Sequence, residues 1–342
     1  MIMYKRESAI DVMKGILVLF MILAHIIQFF PFGKITIHFS NYVDLTTFSG
    51  FMFTFGYVCY KAYISKNISS RSLFKKLFLN FFKTMLAYYI SGIAYFAFIV
   101  NHLSLENFIK ILTFKEIPGY SEFLLSFSFL YLLIFIFKNF LSKMNKISYI
   151  IVVILSLLFT FINYSLVKNP FVGVIIGTSY FCCFPIIQYS SYFFAGMYFA
   201  QYKKGSKWMI LVAFIGSLIF SLHYISNQNL PIRFPPTMLW ITGGYAFILL
   251  YYYFGQKYSH FLSLTEIDKI GKNSLVYLVV SNIFIFMMTK LHFSYFDTLN
   301  TKKKILFYIL CFLNCIFLSN FTCKILNIIK KILLYKTNNK IS

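Results

Sequence analysis

The sequence predicts an all-α fold, a polytopic integral membrane bundle of about ten transmembrane helices with both termini in the cytoplasm. Of the 342 residues, 59% are hydrophobic and only 12% are charged, whereas a typical soluble domain has about 25% charged residues. Apolar runs long enough to cross a bilayer recur through the chain. A soluble protein of this size could not cover its surface with so few charges. The composition therefore excludes a soluble nucleic-acid binder, a disordered chain and a disulfide-stapled secreted domain.

Each predicted span is an apolar run of about 20 residues, the length that crosses the hydrocarbon core. The first run is too long for the hydrophobic region of a signal peptide and lacks a small-residue cleavage site after it. The sixth has the least defined start, because a mixed stretch over 171–185 precedes it. The loops are short, so residues 1–342 are expected to form a single transmembrane domain. In chain order the spans are 13–32, 46–64, 78–100, 120–138, 147–167, 184–202, 208–226, 237–255, 273–292 and 305–326.

The charge of the chain is lopsided, with 32 Lys and Arg against 9 Asp and Glu. Such an excess is typical of nucleic-acid binding or of the cytoplasmic loops of a membrane protein, and the apolar content favours the second. With ten crossings and a cytoplasmic N-terminus, 22 basic residues lie inside and 9 outside. Lys83 falls within the third span, and the basic triplet Lys302–Lys304 falls outside, against the rule.

Three ionisable residues share one face of the first span. At about 100° per residue, Lys14 and His25 lie about 20° apart around the helix and about 16 Å apart along it. Asp11, three residues before Lys14, joins the same stripe. Ionisable side chains in membrane helices usually face the bundle interior or a wet cavity. His25 is a candidate general base, and Lys14 could hold an anionic donor. An interfacial Asp11–Lys14 ion pair and an interhelical hydrogen bond of His25 remain the alternative interpretations.

The pattern Arg6…Asp11…Lys14-Gly15…His25 resembles the start of the membrane-bound acyltransferase-3 family, which comprises polytopic sugar O-acyltransferases. That family typically has Arg or Lys, ten residues and then His on its first helix. Lys in the place of the commoner Arg is similar to the fucose-O-acetylase-related branch. The resemblance extends to three further segments, which read FMFTFGY at 51–57, RFPPT at 233–237 and IGKNSL at 270–275.

The resemblance implies a membrane O-acyltransferase of the plasma or inner membrane. It would move an acetyl group from cytoplasmic acetyl-CoA, its acyl-donor substrate, to a hydroxyl of an envelope or capsular polysaccharide or its lipid-linked precursor. The chain departs from the family at Ser281, where His is frequent, and at Ala87-Tyr88, where Pro-Tyr is common. The catalytic residues expected are His25, Lys14 and Asp11.

Further charged residues are candidates for binding the two substrates. Coenzyme A carries phosphates that Arg and Lys would pair with, although positive-inside charge also accounts for most basic residues here. Glu122 is predicted on the outer side, where it could orient His25 or bind a sugar hydroxyl, or could simply be interfacial. Arg233 is predicted on the same side near the acceptor sugar, with a structural role at a helix entrance as the alternative. The residues expected to contact the donor are Arg6, Arg71, Lys76 and Lys83.

Few other partners are expected. The six cysteines form no CxxC pair, so no metal site is predicted. Membrane lipid is an expected partner and nucleic acid is not, while the oligomeric state is left open. A transporter or flippase for a lipid-linked sugar is the alternative function. It predicts inverted repeats and broken helices, which the sequence does not show.

Overall fold

The computed structural model describes residues 7–66, 68–262 and 266–338. These residues form fifteen α-helices and no β-strand, as the sequence predicts. The helices are α1 (Ser8–Phe29), α2 (Gly33–Cys59), α3 (Ser70–Tyr95), α4 (Leu105–Leu112), α5 (Glu122–Ile136), α6 (Lys138–Ser142), α7 (Lys146–Leu158), α8 (Pro170–Ile176), α9 (Ile186–Tyr202), α10 (Lys207–Asn227), α11 (Met238–Gly243), α12 (Tyr245–Leu262), α13 (Glu266–Lys272), α14 (Ser274–Thr298) and α15 (Thr301–Asn338).

Six helical segments of the described chain are long and apolar enough to cross a membrane. They match the first, third, seventh, eighth, ninth and tenth predicted spans. The other four predicted spans correspond to α2, α5, α7 and α9, which are shorter or less apolar. The helical membrane fold is therefore confirmed, while the count of ten and the side of each terminus stay predictions. The six segments are Ser8–Phe29, Ser70–Val100, Lys207–Asn227, Met238–Leu262, Ser274–Leu291 and Thr301–Ile332.

Helix α1 lies at the centre of the bundle. It packs against α2, α12, α13, α14 and α15, and its side chains Val12, Leu17, Val18 and Ile22 are completely buried. A helix that is apolar on all sides is stable when other helices surround it. Helix α10 is the opposite case, because most of its apolar side chains are exposed, as expected of a lipid-facing helix. The central position of α1 places its ionisable side chains inside the protein.

Two glycines allow α13 to cross α1 in backbone contact. A Cβ atom added at Gly271 would lie 1.8 Å from the carbonyl oxygen of Asp11, and one added at Gly15 would lie 2.1 Å from that of Ile267. Both distances are far inside van der Waals contact, so only glycine fits at either position. The Gly-Lys-Asn-Ser segment at 271–274 thus holds the Asp11–Lys14 end of α1.

The basic triplet Lys302–Lys304 lies at the other end of the bundle. The Lys304 ammonium stands 4.9 Å from the ring centre of Phe296 and 5.7 Å from that of Phe32. The Tyr308 hydroxyl donates a hydrogen bond to the carbonyl of Phe30, just beyond α1. The start of α15 therefore lies beside the end of α1, the end that carries His25. The basic triplet and His25 therefore lie at the same end of the bundle.

Candidate functional site

His25 is held by a buried asparagine from a distant helix. Its Nδ1 lies 2.9 Å from Oδ1 of Asn282 on α14. The Asn282 side chain is completely buried, and its Nδ2 donates to the carbonyl of Tyr120 at 3.0 Å and to Oγ of Ser91 at 3.1 Å. A carbonyl can only accept, so the amide nitrogen must face Tyr120 and the amide oxygen must face His25. In the neutral imidazole the proton is therefore on Nδ1, and Nε2 carries the lone pair.

His25 lines a cavity of about 320 Å³ between α1, α2, α5 and the segments before α9 and α11. The ring of Tyr120 stands edge-on to the imidazole, with centres 4.9 Å apart, and also contacts Phe29 at 4.8 Å. The irregular stretch at 177–185, which the sequence left ambiguous, contributes Cys182 and Phe184 to the wall. We call this space the His25 cavity; its polar lining residues are His25, Gln28, Asp44, Thr47, Tyr120, Glu122, Cys182 and Arg233.

An ion pair between Arg233 and Asp44 forms part of the wall of the His25 cavity. Nη1 of Arg233 lies 3.0 Å from Oδ2 of Asp44, and Nε2 of Gln28 lies 3.1 Å from both carboxylate oxygens. The guanidinium carbon stands 4.7 Å from the ring centre of Phe234 and 5.0 Å from that of Phe184. Burial alone would lower the pKa of Arg233, but the Asp44 carboxylate raises it above its usual value. Arg233 is therefore positively charged, and its partner Asp44 belongs to the same site.

Two polar atoms in this wall have no hydrogen-bond partner among the described residues. They are Oε2 of Glu122, at the first turn of α5, and Nε of Arg233, and both are buried. Both residues belong to the predicted sugar-binding set, and the structure brings them to the cavity that holds His25. Because an unpaired buried polar atom is costly, a polar ligand is the simplest partner for each.

Lys14 lines a second cavity of about 200 Å³, which we call the Lys14 cavity. Nζ of Lys14 lies 2.9 Å from Oδ1 of Asp11, whose side chain is almost fully buried. Thr54, Thr84 and Ser274 add hydroxyl groups to the wall. The predicted stripe on α1 therefore connects two cavities, one beside Lys14 and one beside His25.

Two aromatic side chains, Phe51 of α2 and Phe123 of α5, line both cavities. Both side chains thus belong to the walls of the two cavities, and we call this pair of side chains the partition.

None of the predicted donor-binding cations that the structure describes lines either cavity. Arg71, Lys76 and Lys83 are all exposed on α3, and none of them lines either cavity. Lys83 faces away from the bundle, so the charge within the span is not an interior charge. Thr84, the next residue, reaches the wall of the Lys14 cavity. Arg6 lies outside the described residues.

Sequence reasoning missed three residues of the site, namely Gln28, Asp44 and Asn282. Each is a polar side chain within or beside an apolar run, which in a membrane protein is itself a signal. Asn282 directly follows Ser281, the position singled out as a departure from the family. The Ser281 hydroxyl donates to the carbonyl of Leu278 in its own helix, so the neighbouring residue is the one that reaches His25.

A comparison with known proteins agrees with this architecture. The model of the acyltransferase-3 family, described as an acyltransferase domain, matches residues 7–322. The matched segment contains both cavities, helices α1 to α14 and more than half of α15. No curated protein and no solved structure matches the chain. Proteins of this family are integral membrane proteins, and the apolar helices fit that class. The chain therefore belongs to the acyltransferase-3 family and is a membrane acyltransferase.

Proposed function

We propose that the protein is an O-acetyltransferase of the plasma or inner membrane. It takes the acetyl group of cytoplasmic acetyl-CoA and transfers it to a hydroxyl of an envelope or capsular polysaccharide or its lipid-linked precursor. One observation carries the proposal. His25, whose Nε2 is left with the lone pair, lines a cavity rich in hydroxyl-binding groups, and Lys14, about 16 Å away along the same helix, lines a second cavity.

The Lys14 cavity is the entry for the donor in this proposal. Coenzyme A is anionic, and Lys14 supplies a cation with Asp11 beside it. Arg71 and Lys76 are exposed on α3, which reaches the cavity wall at Thr84. Arg71 and Thr84 are about 20 Å apart along the helix axis, a distance that the long pantetheine arm can bridge. Phosphates bound outside would thus leave the thioester inside, and Arg6 is a further candidate for contacting them.

The His25 cavity is the place of acyl transfer. The acceptor hydroxyl gives its proton to Nε2 of His25 while its oxygen attacks the thioester carbonyl carbon. The tetrahedral intermediate then collapses, the carbon–sulfur bond breaks, and the thiolate of coenzyme A receives the proton from the imidazolium. The hydrogen bond to Asn282 holds the proton on Nδ1 of His25 throughout, so only Nε2 exchanges protons. The thioester reaches this position by passing between Phe51 and Phe123.

The test is acetyl transfer in membranes supplied with radiolabelled acetyl-CoA and the host polysaccharide. We expect His25→Ala to lower incorporation about a hundredfold or more, because a positioned base contributes roughly 10²–10⁴-fold. His102→Ala is the matched control, since His102 is exposed and lines neither cavity. Wild-type incorporation by His25→Ala would remove the proposal. Uptake of lipid-linked sugar by vesicles without acetyl-CoA would instead identify the protein as a flippase.

A further inference from the structure

The polar atoms of the His25 cavity are not equally available to a ligand. Both oxygens of Asp44 already accept hydrogen bonds, from Gln28 and, at Oδ2, also from Arg233. Among the described residues, the buried atoms of this wall left without a partner are Oε2 of Glu122 and Nε of Arg233. Nε2 of His25 points a lone pair away from Asn282. These atoms offer acceptors and a donor within one cavity. A hydroxyl is both donor and acceptor, so vicinal hydroxyls match this set.

The charge of the lining disfavours an anion. Asp44 and Glu122 contribute two carboxyl groups, Arg233 is the one Lys or Arg among the lining residues, and Asp44 is its partner at 3.0 Å. The faces of its guanidinium are covered by Phe184 and Phe234, both within about 5 Å. Asp44 already balances the charge of Arg233, so a carboxylate, phosphate or sulfate on the ligand would find no uncompensated cation among the described lining residues. Glu122 adds a second carboxyl group to this wall, so a negatively charged ligand gains no favourable charge there.

The dimensions and the remaining walls fit one sugar ring. At about 320 Å³ the cavity is at the lower end of the range for small-molecule sites. The aromatic rings of Phe48, Tyr120 and Phe234 line it. Aromatic side chains pack against the apolar C–H face of a sugar ring and leave its hydroxyl groups free to reach polar side chains.

From these observations we infer that the acceptor residue bound in the His25 cavity is an uncharged sugar. Glu122 receives its hydroxyl hydrogen bonds, and acidic sugars are rejected. The inference rests on the proposed function, since it assigns the substrate class of the same site.

The experiment measures binding without catalysis. The full-length protein in phosphatidylcholine nanodiscs is titrated with matched glycosides by saturation-transfer NMR, with empty nanodiscs as the blank. The main probes are methyl glucoside and methyl glucuronide, which differ only in a hydroxymethyl group or a carboxylate at C5. The second pair is N-acetylglucosamine and N-acetylmuramic acid, which differ by a lactyl ether that carries a carboxylate. We expect at least one neutral member to bind and its acidic partner to bind about tenfold more weakly or worse. Equal or tighter binding of the acid, or no binding of either neutral sugar, would overturn the inference.

A carboxylate variant links the preference to Glu122. Glu122→Gln keeps the size and an acceptor oxygen but removes the charge, so the neutral-to-acidic ratio should fall towards one. Glu106→Gln is the control, because Glu106 is an exposed carboxylate paired with Lys110 at 2.8 Å on α4 and does not line the cavity. An unchanged ratio in Glu122→Gln would contradict the assignment.

A labelling measurement needs no variant. Cys182 is an exposed free thiol that also lines the cavity, so a bound neutral sugar should slow its reaction with a maleimide, as read by peptide mass spectrometry. Equal protection by the acidic partner would count against the inference.

The proposed function and this inference can fail separately. If acetyl transfer depends on His25 but neutral sugars are not preferred, only this inference is wrong. If acetyl transfer does not depend on His25, the proposed function is wrong.

Discussion

At the scale of single residues, Asn282 decides which nitrogen of His25 can act as a base. Its amide nitrogen is used by Ser91 and by the carbonyl of Tyr120, so its oxygen has one orientation. A histidine with a fixed tautomer is ready to receive a proton at Nε2 without first rearranging. Asn282 is thus a positioning residue, which acts on the substrate only through His25.

We expect Asn282→Ala to lower kcat for acetyl transfer about tenfold or more, part of the roughly 10²–10⁴-fold that a positioned base contributes. KM for acetyl-CoA should stay unchanged, because Asn282 does not line the Lys14 cavity. The control is Ser281→Ala, a neighbouring buried residue whose hydroxyl bonds only within α14. Steady-state kinetics in nanodiscs measure both constants. A rise in KM with unchanged kcat would show that Asn282 serves donor binding instead.

At the scale of helices, the contact between α1 and α13 sets the position of the Asp11–Lys14 pair. Gly15 and Gly271 bring the two backbones together, and larger residues at either position would push them apart. Lys14 moves with α1 and lines the Lys14 cavity, so the distance between α1 and α13 also sets the shape of that cavity.

Gly271→Ala should destabilise the protein by about 1–3 kcal/mol, the usual cost of overpacking, because the new methyl would overlap the carbonyl of Asp11. Thermal unfolding of the solubilised protein measures this. Gly119→Ala is the matched control, since its nearest neighbouring atom would be at 3.6 Å, an ordinary contact. Equal melting temperatures for the two variants would show that the crossing can relax at no cost.

The partition between the cavities is also a property of helices, because Phe51 and Phe123 come from α2 and α5. Phe51→Ala should widen the passage and raise transfer from butyryl-CoA relative to acetyl-CoA several-fold. Phe55→Ala is the control, since Phe55 is one turn away and lines only the Lys14 cavity. The ratio of the two donors in initial-rate assays measures the effect. The same ratio in both variants would mean that the partition does not select the acyl group.

At the scale of the whole molecule, the arrangement of charges predicts which side of the membrane each cavity faces. Arg71 and Lys76 stand at the start of α3, whereas the basic triplet Lys302–Lys304 stands beside the His25 end of α1. The positive-inside rule is statistical, and here the aromatic faces of Phe32 and Phe296 hold one cation of the triplet. An outer triplet is therefore compatible with a cytoplasmic donor.

Cysteine labelling in intact cells tests this orientation. An impermeant maleimide should label Lys303→Cys from outside and Lys76→Cys only after permeabilisation. The wild-type chain supplies the background from its exposed Cys182. Labelling of Lys76→Cys in intact cells would reverse the orientation and place the proposed donor entry on the outer side.

The sequence alone could predict what depends on local periodicity and composition. An excess of apolar residues in runs of about 20 determines a helical membrane protein. The helical repeat alone places Lys14 and His25 on one face of α1. The resemblance in four segments was enough to predict the family, which the family model confirms.

The tertiary structure alone decided which residues of different helices meet. Asn282 is 257 positions from His25, and Asp44 and Arg233 come from α2 and from the segment before α11. No periodicity within one helix relates such pairs, because they depend on how the helices cross and on close contacts such as that of Gly15 and Gly271. The sequence by itself therefore determined the class of protein and one stripe of its site. The packing of the helices decided the base's tautomer, the two cavities and the partition between them, because each is a relation between helices.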